Sequence, residues 1–552
     1  MKTKRTATFC LAALMGVLSP AMVAEAADGT WTGATSTDLC VGSNWSGGEV
    51  PTGTATISVD AATTLTCSGT FSPSSIVFGA DSALVTISGS GCITNILAIT
   101  NSVALNHVFN IPVTFQDAIE ADIPLGLSDS IVFSGGMTAY SIKPKLEYGV
   151  DPTANAVYAY LRGRVTLTKE NDDYDSTVKG LYYLYNGATL TVKGAVNSGT
   201  ASFRLPTGAT LIIDGDFVAT KSDGWSFICY QNHHSGGTIK INGKVYASAG
   251  NSNVGIAPYH RANNYDKESG KFYASGLVVS GSDKFNLNGR KSDDVTVNGD
   301  KSTAVTRWYI GRDGLSAPNG SSGRYVIPQS GGGAILTAME DFAISAPINL
   351  AASTSFAIDT TNPDSHENHK VTVSAQIRGS TGRPSITVSG SGEVLYTVSA
   401  SPQGTMTVNG AATVSANAGI APNAGPVNLN DTSTLKVAQS GTMPLAGQLT
   451  AASGTTLAFN FTDPATPPTI SAGGGLALPE SGAVNVKVTA DNGNLSCGTY
   501  TIVSGAGLTD GDLAKFSLDR KLTDDMRGAL SISEGNLILT VSQKPGLVVS
   551  YY

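Results

Sequence analysis

The chain has little charge and few aromatic residues. Charged side chains are 14% of its 552 residues and aromatic ones 7%, whereas a globular domain is roughly one quarter charged. The charge nets to −8 and is scattered. Binding phosphates takes a concentrated basic stripe, so nucleic acid is excluded as a partner. Long hydrophobic runs are missing except at Phe9–Val23, which is too short for a stop-transfer helix. Cysteine is scarce: six in all, with Cys10 inside that run and Cys40, Cys67, Cys92, Cys229 and Cys497 after it. An odd count in an exported chain leaves at least one thiol without an internal partner. No GxSxG, HExxH, phosphate loop or dinucleotide fingerprint stands in a suitable context, and no cofactor is implied.

The start is a processing signal. Lys2, Lys4 and Arg5 precede the apolar run, and Ala24-Glu25-Ala26 puts small residues where a signal peptidase reads. Residues 1–26 are therefore expected to be a signal peptide, with the Sec export machinery and signal peptidase as partners and no transmembrane segment in the mature chain. The expected location is secreted, extracellular or on the outer cell surface, with the periplasm as the remaining compartment.

What the sequence does have is glycine, 63 residues, well above the usual 7% or so, set among Ser, Thr, Val and Ala. It also repeats itself. GATLTVKGAV from Gly187 returns as GATLIIDGDF from Gly208 and GGTIKINGKV from Gly236, at offsets of 21 and 28 residues. Looser copies follow from Ile386, Gly404, Ser433 and Gly454, and similar stretches precede them at Thr54 and Ala83. Alternate apolar residues (Leu190 and Val192, Ile239 and Ile241) give a strand one inward side. The glycine that follows (Gly194, Gly215, Gly243) lets the chain turn sharply. Val196, Phe217 and Val245 then begin another strand. A strand–corner–strand unit of 20 to 28 residues is one coil of a solenoid, which buries its inward side only by stacking on its neighbours. A row of β-sandwiches would need longer strands, hairpins and domain-sized repeats. The expected fold is all-β: an elongated parallel β-solenoid, or β-helix, with capped ends and about 20 coils at about 4.8 Å each.

The expected organisation is an N-terminal cap over residues 27–60 and a solenoid over 61–500. Lateral loops are placed near 151–185 and 224–273, and a C-terminal capping segment over 501–552. Trp31 and Trp45 are read as a lid on the first coil. Asp512–Phe516 is expected to make a helical turn, and Ala529–Val541 a hairpin around Glu534-Gly535-Asn536.

WTG, then NWSGGEVP, then TATISV at the front, and YTIVSGAGL with GALSISEGNLILTV at the rear, resemble autotransporter-passenger-like proteins with autotransporter-associated β-strand repeats. The likeness runs loosely over residues 27–541. It implies a right-handed solenoid at a Gram-negative cell surface. It departs from the pattern after Val541, where only SQKPGLVVSYY follows, too short for a C-terminal translocator barrel.

Candidate chemistry is sparse. His233 and His234 near Cys229, and His366 with His369, lack the four converging ligands of a zinc site. Glu170, Asp172, Asp173 and Asp175 lack the glycine-paced loop of calcium repeats. No metal site is expected, and no catalytic residue is assigned. Trp225, Tyr230, His233, His234, Tyr259, His260 and Arg261 form the densest set able to stack on sugar rings and hold acidic groups. Surface or host glycans are the partner this set implies. The functional expectation is a secreted or surface-associated, adhesin-like scaffold without catalytic activity. The alternative is a polysaccharide lyase, glycoside hydrolase or glycan-binding protein on the same β-helix.

Overall fold

Alternation in Thr189–Val192 buries Leu190 and Val192 completely and turns the threonines outward. The same pattern recurs coil after coil in the computed structural model. It describes residues 26–116 apart from 104 and 106, residues 271–518 apart from 282–283, 288–304, 328–332, 380–381, 464 and 491–493, and residues 522–544 apart from 524. Between 119 and 270 it describes the strand segments and a few residues that link them.

The repeat read from the sequence is the register of the stack. Leu190 pairs with Leu211 and Leu211 with Ile239, all in parallel strands, while Val196 pairs with Phe217 and Phe217 with Val245. Continuing from Ile239, one inward column runs through Phe272, Trp308, Leu336, Ile358, Val388, Val408 and Leu429. Every member is essentially without solvent exposure. Burial of side chains of this size stabilises by about 1.5–3 kcal/mol each, so each coil gains only from the coils above and below it.

Seventeen successive strands, from Thr70–Phe71 to Leu476–Ala477, stack in parallel on this side. At about 4.8 Å per step they span about 80 Å. We call this sheet A. Sheet B begins with Val196–Asn197 and continues through Lys370–Val373, Glu393–Tyr396, Thr413–Ala416, Thr434–Val437, Thr456–Phe461 and Val484–Ala490. Shorter parallel sheets make the third side. The fold is thus a parallel β-solenoid. Glycine makes the corner: a Cβ on Gly243 would lie 2.5 Å from the carbonyl oxygen of Gly215 one coil away, so only a bare backbone lets the coils close up.

The two segments expected to carry lateral loops contribute coil strands. Tyr158–Leu161, Gly163–Leu167 and Gly180–Leu184 lie in the first, and Thr238–Ala247 is a ten-residue strand in the second. Between 151 and 185 and between 224 and 273, much of the rest lies outside the described residues, as do residues 1–25 of the expected signal peptide.

At the front, Gly29–Thr30 pairs in parallel with Thr54–Ile57, and Trp31 and Trp45 bridge antiparallel. Trp45 stacks on Phe71 at 5.5 Å, meets Trp31 edge-on at 5.2 Å and donates its indole N–H to the Leu39 carbonyl. Buried Asn44 organises the segment between them. Its Oδ1 accepts from the Thr35 and Ser36 amides, and its Nδ2 donates to the Asp38 carbonyl. At the rear, Asp510–Lys515 is a short 3-10 helix, and Met526–Ser533 with Asn536–Gln543 forms the hairpin. Among the described residues no helix is long and apolar enough to cross a membrane.

Candidate functional site

The outward residues of sheet B align as strictly as the inward ones. One column reads Lys370, Glu393, Thr413, Thr434 and Thr456; the next reads Ser415, Lys436, Ala458 and Lys487. All of these but the buried Ser415, together with Asp341 and His369, line a groove of about 540 Å³.

Glu393 sits at its centre. Its carboxylate lies 3.6 Å from the ammonium groups of both Lys370 and Lys436 and accepts a 2.6 Å hydrogen bond from the Ser415 hydroxyl. Partial burial raises this carboxyl, but the Ser415 hydroxyl, Lys436 and Lys370 together outweigh it and hold the group below the usual glutamate range. Glu393 therefore stays ionised and fixes two lysines on the groove floor. Lys487 is exposed, and among the described residues it makes no ion pair. At the other end the His369 Nδ1 lies 3.5 Å from the Asp341 carboxylate, and the Lys370 amide donates to the same carboxylate. The His369 Nε2 is buried without a protein partner.

The arrangement offers fixed cations and a ladder of half-exposed threonine hydroxyls at the pitch of the coils. Ammonium groups bind carboxylates and sulfates by charge-assisted hydrogen bonds, and hydroxyls donate to and accept from sugar hydroxyls.

A second polar cluster lies on sheet A. Tyr273 and Tyr309 stack at 4.4 Å, and the Lys240 ammonium lies 5.5 Å from the Tyr273 ring centre. Arg307 bonds Thr337 and Asp359 at 3.0 and 3.2 Å. Burial first, then Asp364 and Tyr309, pushes the Tyr273 phenol up to about 12. Asp364 belongs to the stretch 360–369, which leaves sheet A after Asp359 and enters sheet B at Lys370. Thr361 bridges Asn368 across it, and Asn362 Nδ2 donates to the Met339 carbonyl. His366 and His369 occupy this loop. Among the described residues no three His, Cys, Asp or Glu side chains converge on one point.

Trp225, Tyr230, His233, His234, Tyr259, His260 and Arg261 all lie outside the described residues, as do Glu170, Asp172, Asp173 and Asp175. The groove on sheet B went unseen in the sequence reading. Lys370, Glu393, Lys436 and Lys487 are far apart along the chain, and only the coil register brings them together.

No family model matches the chain, and no curated protein matches it. Among solved structures, that of the Haemophilus influenzae Hap adhesin is similar, with a TM-score of 0.26 and 13% identity. The match covers 89% of this chain and 64% of that one, so the chain spans less than two thirds of that structure's length.

Proposed function

We propose that this protein is a secreted or surface-associated, non-catalytic β-solenoid scaffold, adhesin-like in action, that holds an acidic glycan along the sheet B groove. The alignment of Lys370, Lys436 and Lys487 with the threonine ladder carries this reading. A rigid stack keeps the threonine hydroxyls one coil apart and the lysines whole coils apart, three from Lys370 to Lys436 and two from Lys436 to Lys487. A linear polysaccharide is the ligand whose acidic groups also recur along its length. The leader at residues 1–26 and the resemblance of the front and rear motifs support a place outside a Gram-negative cell.

The test is binding of the mature chain to immobilised acidic and neutral polysaccharides. Acidic ones should be retained in a salt-sensitive way, and Lys436→Ala with Lys487→Ala should weaken retention about tenfold, or 1.4 kcal/mol. Equal retention of neutral polymers, or no effect of the double substitution, overturns the reading. One observation favours an enzyme instead: Asp341, His369 and Glu393 line one groove, and carboxylates with an imidazole can move protons. Release of shortened products that His369→Ala abolishes would establish that alternative.

A further inference from the structure

The cap and the first coil meet at two thiols. The Cys40 and Cys67 sulfurs lie 3.7 Å apart, 27 residues from one another along the chain. Backbone pairing puts them there. Asp38 bridges Thr66 in parallel, the Leu39 amide donates to the Thr66 carbonyl and the Thr66 amide to the Thr37 carbonyl. The Asp38 carboxylate accepts from the amides of both Cys40 and Ser68, which locks the two turns side by side. Neighbouring parallel segments run about 4.8 Å apart, within the Cα separation that a disulfide spans. Cys67 and Cys92 are 25 residues apart in the chain, about one coil. Cys92, however, directs its thiol toward the Thr70 hydroxyl at 3.9 Å, while Cys40 arrives from the cap on the other side of Cys67.

We propose that Cys40 and Cys67 form a disulfide that fastens the N-terminal cap to the first coil. The oxidant is a disulfide of the thiol–disulfide exchange class, R–S–S–R, as carried by oxidising compartments. Cys40 is half-exposed and Cys67 buried, so Cys40 reacts first. Its thiolate attacks one sulfur of the oxidant, forming Cys40–S–S–R and expelling RS⁻. The Cys67 thiolate then attacks the Cys40 sulfur, forming Cys40–S–S–Cys67 and expelling the second RS⁻. Two protein thiols lose two protons and two electrons, and one oxidant disulfide becomes two thiols. Burial, and then the nearby Cys40, push the Cys67 thiol up to about 12. This leaves little thiolate on Cys67, so its attack depends on the Cys40 sulfur being held 3.7 Å away. The sulfurs must close to about 2.05 Å. Cys40 lies between Asp38 and the 3-10 turn Gly42–Asn44, outside any strand, so bringing its sulfur closer breaks no strand pairing.

The full-length chain, exported to an oxidising compartment, is alkylated without reduction and mapped by peptide mass spectrometry. A linked pair of peptides holding Cys40 and Cys67, lighter than the two free thiols by two hydrogen atoms, is expected, with Cys92 and Cys497 alkylated. Cys92→Ser should keep the cross-link and Cys40→Ser should abolish it. Reduction should speed amide exchange in residues 27–50 about tenfold, while residues 498–543 stay unchanged. Alkylation of both Cys40 and Cys67, or a Cys67–Cys92 link, overturns the proposal. So does a cap whose exchange is indifferent to reduction.

Discussion

The two ends of the solenoid solve the same problem in different ways. A parallel stack leaves its last coil with unpaired backbone groups and an open apolar column. At the front the chain closes it with packing. Trp45 lies on Phe71, Trp31 lies edge-on to Trp45, and a two-residue strand adds to the first coil. At the rear it closes it with a change of strand direction. Gly498–Ser504 is parallel to Pro468–Ala472 on one side and antiparallel to Asn536–Gln543 on the other, which in turn pairs with Met526–Ser533. A hairpin can follow its own turn and needs little aromatic bulk. The front has no earlier coil to fold upon and depends on large side chains, a buried asparagine and, as proposed, a covalent tie. Because the apolar core of each coil packs on its neighbours, and polar contacts among the described residues reach two coils at most, damage at one end should stay there. Region-resolved hydrogen exchange is the measurement that shows it.

The largest effect is expected from Trp45→Ala. The side chain is 2% exposed, and removing it deletes the stack on Phe71 and the bond to Leu39, at a cost of about 3–5 kcal/mol. Exchange should rise through residues 29–71 and remain unchanged in 498–543. A rise at both ends would show that the coils melt as one unit and would end the contrast.

Acid should separate the ends next. His107 is buried, stacks on Phe78 at 3.9 Å and accepts the Val85 amide on Nδ1. Burial pushes its imidazole down to about 4 from the ordinary 6.5. The folded state thus disfavours the proton that the unfolded chain accepts. Front stability is complete above about pH 6.5 and declines as pH falls toward 4, by up to about 3 kcal/mol. The rear has a lower window. Backbone and side-chain hydrogen bonds from Thr509 hold Asp512 below its ordinary 3.8, so its contribution persists above that pH and is lost as pH falls further. Asp38, where the hydrogen bonds of Ser68 and Cys40 outweigh burial, is also held low and adds a second, more acidic loss at the front. Exchange measured at pH 7 and pH 5 should therefore loosen residues 75–109 and leave 498–543 protected. Equal loosening, or its survival in His107→Phe, would refute this account.

The repeat was legible because strand and corner chemistry recur locally. The 21- and 28-residue offsets from Gly187 became the pairings Leu190–Leu211–Ile239 without adjustment. The final turn could also be read locally, from Glu534-Gly535-Asn536 between two alternating strands. The groove could not. Glu393 faces Lys436 only after coils of unequal length are laid in register, and no local pattern carries that information. The neighbour of Cys40 could not be read for a related reason: the cap runs beside Thr66 before the repeat begins, so coil length says nothing of it.

The smallest effect sharpens the comparison most. In the rear turn, Glu534 and Gly535 have φ of 51° and 75°, the two left-handed residues of a type I′ hairpin. A Cβ at Gly535 would meet its nearest neighbour, Gly507, at 3.6 Å, an ordinary contact. Gly535→Val should therefore cost only the left-handed backbone of a branched residue, about 1–2 kcal/mol, seen as faster exchange in residues 526–543 alone. Glu534→Gly should slow exchange there by removing the same penalty. If the rear is fixed by this turn, the two substitutions move it in opposite directions with no apolar contact altered. If both leave it unmoved, the rear rests on packing just as the front does, and the two caps differ in strand direction but not in what holds them.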